Sequence, residues 1–410
     1  MRRLFPKSWL STTAVGAQLL DGALQHKVAL RGGNAWRMRL LDQLMDLPQR
    51  LGGRANARYA AFGLSFLFLV TPAGAEEMDF ALERLAENAE TCRTEEGLSI
   101  AGQQCEPDEE AFTRLINQYG MAFSPSMLAP ASTTGYGGFE VSVQGTYTTI
   151  SGKSDYMRRG TRGAVDAGLG TASFENDQPP SVLQLYSLGV RKGFGFGFET
   201  GLAFGFMPKT SMIAGGLDVR LSLFEGFRDG IPGFIPDFAV TGSVRTITGT
   251  PQAQLTIAGV GATLSKPITV ADTGVLTPIL GYQHLFIFGD SGIIDFTPAE
   301  SALQGCDYQG PDVPGTPGAS DLDGSPVCTG DNSDFNNNAV FDPVRIRRQR
   351  LLFGLQYRYE ILIVGAQVMA DVFDSAVGLN PEEKEVFQEE KDEGGNVGNF
   401  AFALQLGARF

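Results

Sequence analysis

The last eleven residues, Phe400-Ala-Phe-Ala-Leu-Gln-Leu-Gly-Ala-Arg-Phe410, alternate apolar residues with small or polar ones. Successive side chains of a β-strand point to opposite faces, so a period of two predicts a strand with two different faces. One face would carry the apolar row and the other would carry Gln405, Gly407 and Arg409.

The same alternation recurs upstream, beginning at Phe139, and is clear in residues 194–206, 213–223 and 350–359. Segments of about ten residues with one apolar face and one polar or glycine-lined face are typical of transmembrane β-strands. The polar face of a soluble sandwich, the main alternative, is usually richer in charge. The pattern predicts ten strands, near residues 138–150, 181–192, 194–207, 211–224, 236–248, 253–265, 275–289, 344–359, 361–374 and 398–410.

The lengths of the connections support this interpretation. The longest, residues 151–180, 290–343 and 375–397, all fall on one side of an up-and-down arrangement, and shorter turns fall on the other. Bacterial barrels have long extracellular loops and short periplasmic turns. We therefore predict an all-β fold, a transmembrane antiparallel up-and-down barrel at residues 135–410. Ten strands would become twelve if Gly292 to Phe296 or part of residues 151–180 also paired.

In its terminal strand the chain resembles bacterial outer-membrane β-barrel proteins, whose last strand alternates in this way and ends in phenylalanine. The specific motif is confined to the last eleven residues, although the strand pattern extends over roughly residues 138–410. The resemblance implies outer-membrane lipids around the barrel and recognition by the barrel-assembly machinery. The assembly signal would be Phe400, Phe402, Leu404, Leu406 and Phe410. No particular member is matched, so no functional residue carries over.

Residues 1–75 are interpreted as a leader. Arg54 and Arg58 precede a short apolar run that ends at Val70, and Ala73-Gly-Ala75 supplies the small residues of a signal-peptidase site. This arrangement predicts a secretory signal peptide with cleavage after Ala75. The stretch upstream of the signal is long, so that Met38 or Met45 would be a more ordinary start.

The negative net charge of the chain argues against nucleic acid as a binding partner. The chain has a net charge of −14, and without residues 1–75 it has 22 basic against 43 acidic residues, or −21. With no basic patch to neutralise phosphates, nucleic-acid binding is not expected. No apolar run reaches the roughly 18 residues of a spanning helix.

Residues 76–134 have helical spacing, with apolar positions at 78, 82 and 85 and again from Phe112 to Tyr119. They predict two short helices and a Pro/Ser/Thr linker, forming a periplasmic segment that caps the mouth of the barrel or binds a periplasmic partner. An even cysteine count in an exported chain predicts disulfides, which we assign locally as Cys92–Cys105 and Cys306–Cys328.

Charged residues on the polar rows predict a polar lumen. Pairing across the turn at Glu360–Ile361 places Arg350 opposite Asp371, and Glu199 should lie near Arg220. These charges would either form a constriction of a narrow pore for small solutes or simply fill the interior, and ten strands favour filling. The predicted lumen-facing charged residues are Glu140, Glu199, Asp218, Arg220, Arg245, Arg350, Arg358, Asp371 and Arg409.

Two further features of the sequence bear on catalysis and on metal binding. His284 could act as a general base if a carboxylate such as Asp290 or Asp295 oriented it, but a structural role is favoured. The aspartates of the loop at residues 306–334 could bind calcium, although the EF-hand spacing is missing. We therefore predict an outer-membrane barrel with a structural or surface-interaction role, without catalysis, cofactor or bound metal. The alternatives are a narrow pore and a His284-dependent envelope hydrolase.

Overall fold

The structure of the protein is a computed structural model. The described residues are 76–94, 98, 100, 103–164, 175–225, 235–270, 273–299, 307–308, 326–327, 337–371 and 399–410. The leader predicted for residues 1–75 lies outside them, so cleavage after Ala75 stays a prediction.

Fifteen strands are present in the described part of the chain. Their bounds are β1 Phe139–Thr149, β2 Val182–Gly193, β3 Phe198–Phe206, β4 Ile213–Phe224, β5 Asp237–Thr248, β6 Ala253–Ser265, β7 Ile268–Val270, β8 Gly274–Ser291, β9 Ile294–Asp295, β10 Asp307–Tyr308, β11 Pro326–Val327, β12 Asn338–Ala339, β13 Val344–Tyr359, β14 Leu362–Asp371 and β15 Phe400–Arg409.

Ten of these strands form a closed antiparallel barrel. Each of β1 to β5 pairs with the next strand, β6 pairs with β8, and β13, β14 and β15 follow in order back to β1. Pairing of β8 with β13 closes the ring, while β7 is a short extra strand beside β8. The predicted ten-strand barrel is confirmed. The segment from Gly292 to Phe296 adds no strand to the ring, because β9 pairs with β12 in a separate ladder.

The faces of the barrel follow the alternation of the sequence. Large apolar side chains such as Phe204, Phe353 and Leu406 are more than half exposed on the outside, as expected for side chains that face lipid. Inside, β1 and β15 contribute Glu140, Thr148 and other buried polar or small residues. A closed ring with an apolar exterior and a polar interior leaves no backbone edge exposed in a bilayer.

The connections distinguish the two ends of the barrel. The long-loop end, as we call it, carries the connections at residues 150–181, 207–212, 249–252, 292–343 and 372–399. The short-turn end carries those at residues 194–197, 225–236, 266–273 and 360–361.

Three α-helices are present in the described residues: α1 Ala89–Cys92, α2 Glu109–Phe123 and α3 Asp155–Gly160, with a 3-10 helix at Leu82–Arg84 before α1. Helix α2 begins where Asp108 accepts a 2.9 Å hydrogen bond from the backbone N–H of Ala111. That bond satisfies one of the free donors at the helix start. Residues 76–134 thus contain two helices, α1 and α2, although the first apolar group, at positions 78, 82 and 85, lies beside the β-bridge of Phe80 and in a 3-10 turn.

The position of residues 76–134 also differs from the prediction of a segment at the periplasmic mouth. Helix α2 lies inside the barrel, and residues 124–134 continue through the lumen to the start of β1 at the short-turn end. Residues 76–108, the N-terminal lobe, contact connections of the long-loop end. We call residues 109–134 the plug. The amphipathic pattern of α2 does not by itself specify where the helix lies. In the structure, side chains of the lumen hydrogen-bond residues 124–134, which follow α2.

Candidate functional site

A cluster of charged side chains lies in the lumen near the short-turn end. Glu140, which has no exposed surface, pairs with Arg191 and also lies 3.4 Å from Nε of Arg409. Glu199 lies 3.5 Å from Arg191 and 3.6 Å from Arg220. Buried charges are tolerated when they are paired in this way.

Other ion pairs lie further along the lumen. Asp218 and Arg245 are 2.9 Å apart on neighbouring strands. Arg350 faces Asp371 in the register, but the ion pair to Asp371 is made by Arg348. Arg358, on the same strand, is half-buried. All nine predicted lumen residues are thus buried or half-buried, and eight of them take part in the charge pairs or plug contacts of the interior.

Arg350 is instead directed at the plug. It is almost fully buried and donates to Oγ of Ser124 at 2.6 Å, to the carbonyl of Pro125 and to Oε1 of Gln283 at 2.7 Å. A buried guanidinium with three oxygen acceptors has most of its donors satisfied. Arg350 therefore fastens the end of α2 to the barrel wall.

Lumen side chains also satisfy the backbone of residues 124–134. The N–H groups of Met127, Ala131 and Thr134 donate to Gln367 at 3.2 Å, Ser265 at 2.9 Å and Glu199 at 2.8 Å. The carbonyl of Pro130 accepts from Arg220 at 2.7 Å, and that of Leu128 accepts from Gln356 at 3.3 Å. An extended segment without a strand partner needs such acceptors and donors when it is buried.

The N-terminal lobe is fastened to the long-loop end of the barrel. The N–H of Met78 donates to the carbonyl of Lys209 at 2.8 Å, and Leu82 donates to Oε1 of Gln252 at 2.8 Å. Phe80 pairs with Thr161 in an isolated bridge. The disulfide Cys92–Cys105, which the sequence predicted, closes the loop within this lobe.

Electrostatics at this end reflect burial. Desolvation raises the pKa of the Glu109 carboxyl, although the N–H of Asp342 donates to it at 2.9 Å. Desolvation likewise lowers the pKa of the Arg84 and Arg93 guanidinium groups. Both arginines donate hydrogen bonds to backbone carbonyls, Arg84 to that of Thr161 and Arg93 to that of Phe296, and so connect the lobe to the long-loop end.

A cavity of about 70 Å³ remains beside the plug. It is lined by plug residues 123–129 and by β1 to β5, including Arg191, Glu199 and Arg245. Because a water molecule needs roughly 10–15 Å³ on this measure, the space suits a few waters. It is not the size of an aqueous channel.

The sequence reasoning did not identify Arg191 or Arg348 as lumen residues. Both lie on rows whose period was already visible: Arg191 follows Ser187 and Gly189, and Arg348 precedes Arg350 by two residues. Extending the alternation by one step in β2 and β13 would have found them.

His284 lies on the outside of the barrel, in contrast to a catalytic position in the lumen. Its ring contacts the ring of Phe286 at 4.6 Å, and in the register it faces Gln349. Among the described residues no hydrogen bond joins it to Asp290 or Asp295, the carboxylates considered from the sequence. Asp295 bonds Thr297 instead.

Some predictions fall on residues that the structure does not describe. Cys306, Cys328 and most of the aspartate-rich loop at 306–334 lie outside the described residues, so their disulfide and calcium binding stay predictions. Within the described ranges there is no group of metal-ligating side chains. Among the same residues, no helix has the length and apolar character needed to cross a membrane.

The chain is similar to solved structures of outer-membrane proteins, with low sequence identity and low TM-scores. No protein-family model matches the chain, and no curated protein sequence matches it. Solved structures that match include Ail, the attachment invasion locus protein of Yersinia pestis, at 10% identity and a TM-score of 0.22, covering 67% of this chain and 100% of that one. The outer membrane protein Omp33 of Acinetobacter baumannii matches at 8% identity and a TM-score of 0.22, covering 67% and 98%.

The fold itself defines the class of protein. A closed, ten-stranded antiparallel barrel with a lipid-compatible exterior, a charged interior and loops of unequal length at its two ends is a bacterial outer-membrane β-barrel, and its location is the outer membrane.

Proposed function

We propose that the protein is a closed, non-catalytic outer-membrane barrel that presents its N-terminal lobe on the cell surface for interaction with a partner. The observation that supports this most strongly is the path of the plug. It enters the barrel from β1 at the short-turn end and leads to a lobe fastened among connections of the long-loop end. Since long loops of bacterial barrels are extracellular, the lobe would be extracellular too.

The surface of the lobe favours a basic partner. Its exposed charged residues in the described ranges are Glu76, Glu87, Glu90 and Glu106. Acidic surfaces attract basic ones and speed their encounter, an effect that falls with ionic strength. The disulfide Cys92–Cys105 and the contacts to Lys209 and Gln252 hold this surface in one arrangement.

Labelling of intact cells tests the proposed placement. An epitope inserted between the exposed residues Gln103 and Gln104 should bind antibody on intact cells, because the lobe lies at the long-loop end. The same epitope inserted at Glu360–Ile361, in a short turn, serves as control and should bind only after permeabilisation. Heat-modifiable migration of both variants would verify folding. Labelling of the 103–104 epitope only in permeabilised cells would refute the surface placement.

A second candidate function is a narrow pore, which the charged side chains lining the lumen favour. If the plug seals the barrel, wild-type protein in planar bilayers should show no steady current. Arg350→Ala should produce intermittent current, because Ser124 and Pro125 lose the group that anchors them.

Gln349→Ala is the matched control, since Gln349 lies on the same strand but bonds Tyr282 on the exterior. It should remain closed. A steady wild-type current would instead establish the pore and displace the proposed closed barrel.

A further inference from the structure

The exterior of β13 begins with two arginines rather than apolar residues. Arg345 and Arg347 are exposed on the outside of β13. The residues that alternate with them, Ile346, Arg348 and Arg350, are buried in the interior. Below them on the same outer face, Leu351, Phe353 and the remaining alternate residues to Tyr359 are apolar or aromatic and exposed. Two positive charges therefore stand at one end of a lipid-facing row.

Neither arginine has a carboxylate in contact among the residues that the structure describes. The guanidinium carbon of Arg347 lies 6.0 Å from the ring centroid of Phe286 on β8. The neighbouring exterior side chains of β8 include the half-buried His284 and the exposed Asp290. With His284 neutral, the two arginines and Asp290 leave a net charge of +1 on this patch.

The depth of the arginines in the membrane follows from the geometry of β13. Arg347 lies twelve residues from Tyr359. With about 3.4 Å per residue and a tilt of about 40°, the two residues are about 31 Å apart along the membrane normal. The apolar band of such barrels is about 25 Å tall and is flanked by aromatic residues. If Tyr359 marks one border, Arg347 and Arg345 lie just beyond the other, at the level of lipid headgroups.

From this position we infer that Arg345 and Arg347 bind a phosphate group of a lipid headgroup in the leaflet at the long-loop end. Their Cα atoms are two residues apart on one face, roughly 7 Å, so both side chains can reach one anion. Guanidinium groups bind phosphate oxygens through paired, charge-assisted hydrogen bonds. Such bonds are stronger at a partly desolvated lipid surface than in water. This inference does not depend on the role of the N-terminal lobe.

Lipid binding by the full chain in a zwitterionic detergent provides the test, with native mass spectrometry as the readout. The probes are lipid A, dephosphorylated lipid A and inorganic phosphate. We expect Arg345→Gln/Arg347→Gln to weaken lipid A binding about ten-fold or more, since charge-assisted bonds contribute more than 1.4 kcal/mol together. Binding of dephosphorylated lipid A should be weak and equal in both proteins.

Lys153→Gln removes an exposed positive charge from a loop at the same end and is the charge-matched control. It should bind lipid A like the wild type, and Arg347→Lys should lie between the wild type and the double variant. Heat-modifiable migration verifies that every variant is folded. Equal lipid A binding by wild type and double variant would overturn the inference. Occupation of the patch by inorganic phosphate as tightly as by lipid A would overturn the assignment to a lipid.

Discussion

Replacing Glu140 with alanine should lower the free energy of unfolding of the barrel by about 3–5 kcal/mol, because it removes the carboxylate that contacts Arg409 and the nearer of the two carboxylates that contact Arg191. Glu140 has no exposed surface, pairs with Arg191 and Arg409, and accepts from Gln405 at 3.3 Å. Its strand β1 and the terminal strand β15 meet at this position. The change would therefore loosen the junction of the first and last strands. The temperature at which the protein loses its heat-modifiable migration measures the effect.

An exposed ion pair provides the control for Glu140. Glu77 lies 2.7 Å from Lys209, and both side chains are more than two-fifths exposed. Glu77→Ala should change stability by about 0–1 kcal/mol, since solvent screens surface pairs. Equal effects of Glu140→Ala and Glu77→Ala would contradict the role assigned to the lumen cluster.

Replacing Gly120 with leucine should release the plug from the barrel wall. A Cβ atom at Gly120 would lie 2.5 Å from Cγ2 of Ile287, and a Cβ atom at Gly289 would lie 2.6 Å from Cγ2 of Ile116. Helix α2 therefore lies against β8 with no room for a side chain. Overpacking of this kind costs about 1–3 kcal/mol, and a leucine is larger than one added methyl group. Limited proteolysis should cut residues 109–134 in the variant and spare them in the wild type.

Two further variants distinguish plug release from general misfolding. Gly215→Leu places the same side chain on the outside of β4, where no atom lies within 4 Å of the added Cβ, and it should leave the plug protected. Gly120→Leu/Ile287→Ala restores space at the contact, so the effects of the two changes should not add. Protection of the plug in Gly120→Leu would show that α2 is not held by this contact.

The strands could be predicted closely because their information is local. In β15 and β13 each residue faces either lipid or lumen, so the alternation identifies the strand, its faces and its approximate ends. The two-residue turn at Glu360–Ile361 then determines the register, and Arg350 indeed lies opposite Asp371. Burial of the lumen charges follows from the same alternation.

The partners of those charges were less predictable. Arg350 bonds Ser124 and Pro125, more than two hundred residues away in the chain, while Arg348 pairs with Asp371. A register shows which residues are neighbours on a sheet. The register does not show which segment fills the lumen of the closed barrel. It therefore cannot show which side chains of the barrel wall bond that segment.

The sequence by itself determined the alternating strands and the turn that sets the register between β13 and β14, because these depend on the two-residue pleat and on solvent or lipid at each face. Only the tertiary structure decided the path of residues 76–134. Their sequence has no strand period, and their stability comes from contacts with distant parts of the barrel, such as Glu199, Arg220 and Ile287. Closure of the ring creates those contacts, and no local segment of the chain contains them.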